Sequence, residues 1–151
     1  MARADSGVTL LEAICVLAIV GMLAALALPA IPKGTSRPGL EAYALDVASL
    51  LKADRFTAIR DRVVVATSLD AAAQTIRSGV DDRFVQLPPD IGFDALLPQR
   101  CGNRSVQATI DFFPSGMSCG GTIALSRLGA VYQIRVNWLT GSVEVLEVEK
   151  R

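Results

Sequence analysis

The chain contains no histidine. That absence removes the commonest metal ligand and the commonest general base at neutral pH. Net charge is missing too, because fifteen lysines and arginines offset fifteen aspartates and glutamates over 151 residues. With no long-range field, the charge balance does not favour nucleic acid, although a local arginine cluster could bind it regardless. Cysteine is sparse, limited to Cys15, Cys101 and Cys119. Apolar residues are plentiful at 51%, which excludes a mostly disordered chain. If the first 32 residues serve targeting or anchoring, about 120 remain, enough for one domain with a modest core.

Residues 13–31 run for 19 positions without a charge. As a helix they would extend about 28 Å, near the roughly 30 Å of bilayer hydrocarbon. A secretory signal is the plainer reading, and Ala24, Ala25, Ala27 and Ala30 leave signal cleavage open. The run exceeds the usual signal core of about 7–15 residues, however, and its basic side is weak, with Arg3 offset by Asp5. A buried core helix is the other alternative; the uninterrupted length predicts membrane insertion instead. Glu12 stands directly before the run. A carboxylate at bilayer depth costs from about 3 to well over 10 kcal/mol unless it finds a partner or a polar boundary.

The segment SGVTLLEAICVLAIVGMLAALALP resembles the N-terminus of type IV pilins and of type II secretion pseudopilins. The resemblance implies a short leader, residues 1–7, that a prepilin peptidase removes after Gly7. The same enzyme would then methylate the new N-terminus at Val8, which stands where the family most often has phenylalanine. Glu12 becomes the fifth mature residue and, by the same resemblance, an assembly residue. Its carboxylate would pair with the α-ammonium of Val8 on a neighbouring subunit. In a low-dielectric bundle, breaking one side of such a pair costs about 3–5 kcal/mol.

Pro29 and Pro32, followed by KGTSRPG, interrupt the helical ladder and read as a turn or hinge. From Leu40 a helical period returns: Leu40, Tyr43, Ala44, Val47, Leu50 and Leu51 share a face extended by Ala58 and Ile59. Glu41, Asp46, Lys52, Asp54, Arg55 and Arg60 occupy much of the remainder. Residues 8–62 therefore read as one long helix, bent around residues 29–38. Beyond residue 62 the period shortens. RVVVATSL and RFVQLP read as strands, PPDIGF as a turn leading into another, and SVQATIDFFPSGMSCGGTIALSR as two strands joined by a glycine-rich loop over residues 114–121. VYQIRVNWLTGSVEVLEV is the clearest hairpin, with Tyr132, Ile134, Val136 and Trp138, then Val143 and Val145, around a turn at residues 139–142.

The expected class is α+β, pilin-like, with a long N-terminal helix, membrane-spanning in its first half, packed on an antiparallel sheet domain. Its expected divisions are a leader at 1–7, a transmembrane half-helix at 8–32, a hinge and amphipathic half-helix at 33–62, and a β-rich domain at 63–151.

Motifs for chemistry are weak. SGMSCGG lacks the Gly-Lys-Ser/Thr ending of a phosphate loop and the strand–turn–helix setting of a dinucleotide site, so it reads as a hairpin loop. Trp138, in register with Ile134 and Val136, reads as core. Ser115, Ser118 and Cys119 have no histidine to activate them, and Lys33, Lys52 and Lys150 fall in no recognisable serine–lysine motif. Asp81, Asp82, Asp90, Asp94 and Asp111 lack EF-hand spacing and read as solvated loop acids. Cys15 reads as a small buried hydrophobe. Cys101 and Cys119 could pair in an oxidising compartment, adding about 3 kcal/mol. No catalytic residue, metal or cofactor is expected.

The C-terminal pattern, Phe-x-Pro-x-Gly, Gly-Gly-x-Ile and Thr-Gly-x-Val, looks like the globular domain of the GspH family of minor pseudopilins. The resemblance implies a structural subunit at the tip of a periplasmic pseudopilus in type II secretion. Its implied partners are the prepilin peptidase and methyltransferase, other minor pseudopilins, the major pseudopilin and inner-membrane lipid. The implied placement is a single pass through the inner membrane, N-terminus cytoplasmic and domain periplasmic. A type IV minor pilin, acting in pilus assembly or DNA uptake, is the alternative within the family. A signal-anchored small binding or catalytic domain is the alternative outside it, distinguished by whether residues 1–7 are removed and Val8 methylated.

Overall fold

The computed structural model describes residues 10–27, 34–102, 104–105 and 108–149. The chain divides into two units, residues 1–33 and 34–151.

In the first unit, helix α1 spans Leu10–Ala27, and Glu12 occupies its first turn. Aliphatic side chains are exposed around it, Leu10, Leu17 and Met22 among them. The membrane-spanning first half expected above is corrected: among the described residues, no helix is long and apolar enough to cross a membrane. Only residues 13–27 of the uncharged run fall within the described helix, about 22 Å at 1.5 Å per residue, against roughly 30 Å of hydrocarbon. The single-pass inner-membrane placement, which rested on that span, is corrected with it. Pro29 and Pro32 lie outside the described residues.

The second unit begins with non-helical residues 34–36, and helix α2 then runs Arg37–Asp61. Ser36 caps it, its hydroxyl accepting from the Gly39 N–H at 3.3 Å, and Pro38 sits in the first turn where a missing N–H costs nothing. Arg62 ends it in the left-handed conformation at φ 55°. The apolar stripe of Leu40, Ala44, Val47, Leu50, Leu51 and Ala58 is buried, while Ile59 is partly exposed.

Ten strands follow. Strands β1 (Val65–Asp70), β2 (Thr75–Arg77) and β3 (Phe84–Gln86) precede β4 (Gly92–Leu96) and a short pair, β5 (Arg100–Cys101) and β6 (Arg104–Ser105). Then come β7 (Thr109–Phe112), β8 (Gly121–Arg127), β9 (Ala130–Val136) and β10 (Val143–Glu149). One antiparallel sheet has the order β3-β2-β1-β7, and a second has the order β10-β9-β8-β4. Alternation explains the burial: in β1, Val65, Thr67 and Leu69 are buried while Ala66, Ser68 and Asp70 face out. Helix α2 packs on β1, β3 and β7 of the first sheet and on β8, β9 and β10 of the second. Phe112, Ile110, Ile123, Leu125 and Ile134 are wholly buried in the shared core.

Several expectations about the second unit change. The glycine-rich loop does not close a hairpin, because β7 edges one sheet while β8 lies inside the other, so the loop is a crossover between sheets. Trp138 is 62% exposed, since β9 ends at Val136 and the indole sits in the following turn. Asp54, placed above on the polar side of the helix, is wholly buried. Its carboxylate accepts from the Thr67 hydroxyl at 2.7 Å, the Ser78 hydroxyl at 2.6 Å and the Gly79 N–H at 3.0 Å. Replacing Asp54 with alanine strands two buried hydroxyl donors, on Thr67 and Ser78, and also removes the acceptor of the Gly79 N–H; we expect a loss of about 3–5 kcal/mol in unfolding free energy by denaturant titration. A loss under about 1 kcal/mol would show that the donors find water instead.

Candidate functional site

Gly7 and Val8 lie outside the described residues. Glu12 lies in the first turn of α1, where the positive end of the helix dipole favours a carboxylate. Cys15, expected to be buried, is exposed and not disulfide-bonded.

In the second unit, the residues worth following gather where α2 ends. The loop of residues 113–120 folds on itself, the Gly116 N–H donating to the Phe113 carbonyl at 2.9 Å and the Phe113 N–H to the Met117 carbonyl at 2.9 Å. The β9–β10 turn is built on Asn137, whose side-chain oxygen accepts from the N–H groups of Leu139 and Thr140 at 2.9 and 3.0 Å. Arg55 of α2 ties both together, Nε donating to the Gly116 carbonyl at 3.2 Å and Nη2 to the Thr140 carbonyl at 2.9 Å. The approach is close enough that a Cβ on Gly141, which sits at φ 63°, would collide with the Gly116 carbonyl oxygen. The Ser118 N–H donates to the Trp138 carbonyl at 3.0 Å, fastening loop to turn directly.

A disulfide joins Cys101 of β5 to Cys119 in this loop, with Cα atoms 5.4 Å apart. Between the β5 hairpin and the loop lies a groove of about 640 Å³. Val64, Phe113, Met117 and Trp138 give it apolar walls, the disulfide lines it, and Arg100 is the one charged lining residue among those described.

The other candidates separate. Ser118 is buried, its hydroxyl oxygen accepting from the Gly120 N–H, and Cys119 is in the disulfide, so neither is an activated nucleophile. Ser115 is exposed in the loop. The acids do not converge, and among the described residues no group of histidine, cysteine, aspartate or glutamate could hold a metal. Asp81 pairs with Arg83 at 2.6 Å, and the hydrogen bond from that guanidinium holds its carboxyl below the ordinary 3.8. Asp90 pairs with Arg127 and accepts from the Thr35 N–H at 2.8 Å, holding residue 35 to the β3–β4 connection. Asp94 is exposed on β4, and Asp111 is a buried residue of β7 instead of a solvated loop acid. Arg55 was missed as a functional candidate because a helical arginine on a polar face looks like any solvated cation. Only the glycines at 116 and 141, each marking a tight approach, hinted at it.

Residues 2–28 match the family model of the prokaryotic N-terminal methylation motif. The second comparison, with curated proteins, returned no match. Among solved structures, the minor pseudopilin EpsH from the type 2 secretion system of Vibrio cholerae is similar at a TM-score of 0.56 and 11% identity, over 70% of this chain and 94% of that one. The type IV minor pilin FimU of Pseudomonas aeruginosa is similar at 0.56 and 13% identity, over 73% of this chain and 90% of that one. A second crystal form of FimU gives 0.53 and 12%, over 70% and 91%. The chain therefore has a pilin-like fold of the kind seen in minor pseudopilins and minor pilins.

The disulfide closes a loop across a sequence separation of 18 residues. Changing both Cys101 and Cys119 to serine should lower unfolding free energy by about 3 kcal/mol. Denaturant titration under non-reducing conditions measures this, and an unchanged midpoint would show that the β5 hairpin is held by other contacts.

Proposed function

We propose that the chain is a minor pseudopilin, a structural subunit at or near the tip of the pseudopilus in type II protein secretion. The observation that carries this reading is the methylation-motif match over residues 2–28, lying in the same chain as a pilin-like α+β unit. The exposed aliphatic side chains of α1 support it, since a helix apolar on all sides must be covered by something. In a filament the cover is the α1 helices of neighbouring subunits. The proposed partners are accordingly the prepilin peptidase and methyltransferase, other minor pseudopilins and the major pseudopilin.

In this reading Gly7 ends the leader, Val8 is the methylated N-terminus, and the Glu12 carboxylate pairs with the Val8 ammonium of an adjacent subunit. The similarity to FimU favours a second reading, a minor pilin of a type IV pilus, with the same processing and the same roles for these residues.

Processing is tested by intact mass after co-expression with prepilin peptidase. Loss of residues 1–7 with one methyl on Val8 is expected, and Gly7→Ala should retain the leader. A Gly7→Ala product beginning at Val8 would overturn the assignment.

Assembly is tested separately. Glu12→Ala and Glu12→Gln should both be cleaved normally, yet co-purify several-fold less with the other pseudopilins, because the neighbouring ammonium loses its countercharge. Pull-down yields normalised to processed protein measure this. Wild-type recovery of Glu12→Ala would remove Glu12 from the interface.

A further inference from the structure

The groove beside the disulfide is used by neither processing nor α1 packing. Trp138 at 62% and Met117 at 37% exposure stand at its walls. Solvent contact on so large an aromatic is not the result of a loose loop. The Trp138 carbonyl accepts from the Ser118 N–H, and the turn that carries the indole is closed by the Gly141 N–H donating to the Asn137 carbonyl at 2.8 Å. On the opposite wall, the disulfide ties Cys101 of β5 to Cys119 of the loop. A concavity of this size is in the range that proteins use to seat a ligand.

Arg100 identifies the ligand's charge. Arg37, Arg60, Arg83 and Arg127 each pair with a carboxylate, whereas Arg62, Arg77 and Arg135 lie away from the groove and form no ion pair among the described residues. Arg55 is spent on two backbone carbonyls. Arg100 is exposed at the groove and forms no ion pair among the described residues. Trp138 and Arg100 line the same groove, and tryptophan and arginine are among the residues enriched at the energetic centres of protein interfaces.

From these placements we infer that the groove is a docking surface for a short segment of a partner protein that carries a bulky apolar side chain beside a carboxylate. The apolar group lies between Trp138, Met117 and Phe113. The carboxylate takes the Arg100 guanidinium as a two-point hydrogen-bond partner. A filament subunit and a freestanding domain would carry this groove alike.

Trp138 is the only tryptophan in the chain, so its fluorescence reports occupancy directly. The full-length chain is titrated with a blocked peptide of the sequence leucine-phenylalanine-glutamate-leucine, with the same peptide bearing glutamine for glutamate, and with vesicles of anionic phospholipid. A saturable shift of the emission is expected with the acidic peptide, and binding about tenfold weaker with the glutamine peptide, the value of one charge-assisted hydrogen-bonded pair. Arg100→Gln should reduce affinity for the acidic peptide by the same factor and leave the glutamine peptide unchanged. The peptide comparison needs no variant and stands if Arg100→Gln misfolds. Equal affinity for both peptides overturns the inference, as does the absence of any saturable shift. Saturation by the vesicles alone overturns it in favour of a lipid surface, and a shift that tracks self-association without peptide overturns it in favour of a second copy.

Discussion

Helix α2 must satisfy two sheets at once, and the rest of the second unit depends on that constraint. Each four-stranded sheet has an apolar face, and neither packs on a helix of its own. The stripe of Leu40, Ala44, Val47 and Leu51 therefore has to be wide enough to contact both β1 and β9. Small residues at 44, 48 and 58 let the strands approach, while the leucines fill the space between them. A sheet alone would leave Ile110, Ile123 and Ile134 in water. The helix removes them from it, and burial of that apolar surface is the main force holding the fold.

Two consecutive residues on α2 turn that general attraction into specific positions. Asp54 reaches inward to Thr67 on β1 and to Ser78 and Gly79 beyond β2, and so sets the helix against the first sheet. Arg55, about 100° further round the helix, reaches the crossover loop at Gly116 and the β9–β10 turn at Thr140. Apolar contact tolerates sliding, whereas a buried carboxylate with three donors does not. The crossover loop is then held from three directions: by Arg55, by the disulfide to Cys101, and by its own backbone bond to the Trp138 carbonyl. These attachments place the groove at the end of the helix.

What could be read from the sequence follows from which forces are local. The α2 stripe and the β9–β10 hairpin are periodic patterns, and a pattern with period 3.6 or 2 shows its face without any knowledge of partners. The turn of Leu128 and Gly129 between β8 and β9, at φ 50° and 80°, lacks the Asn-Gly signature, so its hairpin was not marked. Strand β2 was missed because three residues cannot establish a period. The assignment of β7 and β8 to different sheets is a tertiary decision, and adjacency in sequence pointed the wrong way. Asp54 and Trp138 reversed their expected environments for related reasons. A buried acid is legible only through distant donors, and an exposed tryptophan only through the point where its strand stops. At α1, hydropathy over residues 13–31 suggested a span, but the described helix contains only part of that run and carries Glu12 in its first turn. The N-terminal motif was legible because it is a run of contiguous residues that needs no tertiary partner to be seen.

These constraints also explain how a topology persists at 11–13% identity. Strands require alternation, α2 requires a stripe of adequate width, and tight turns require a residue that accepts positive φ; none of these requires a particular sequence. Contacts that do require particular chemistry are few, and they divide by task. Asp54 and the disulfide maintain the scaffold, and their loss would be felt as instability. Trp138, Met117 and Arg100 contribute little to the core, so the fold does not constrain them. An exposed indole and thioether gathered with a cation in one concavity make the kind of patch that marks an interaction site. At this groove the physical reason for their placement is therefore a partner, and its chemistry is the complement of one cation set in an apolar wall.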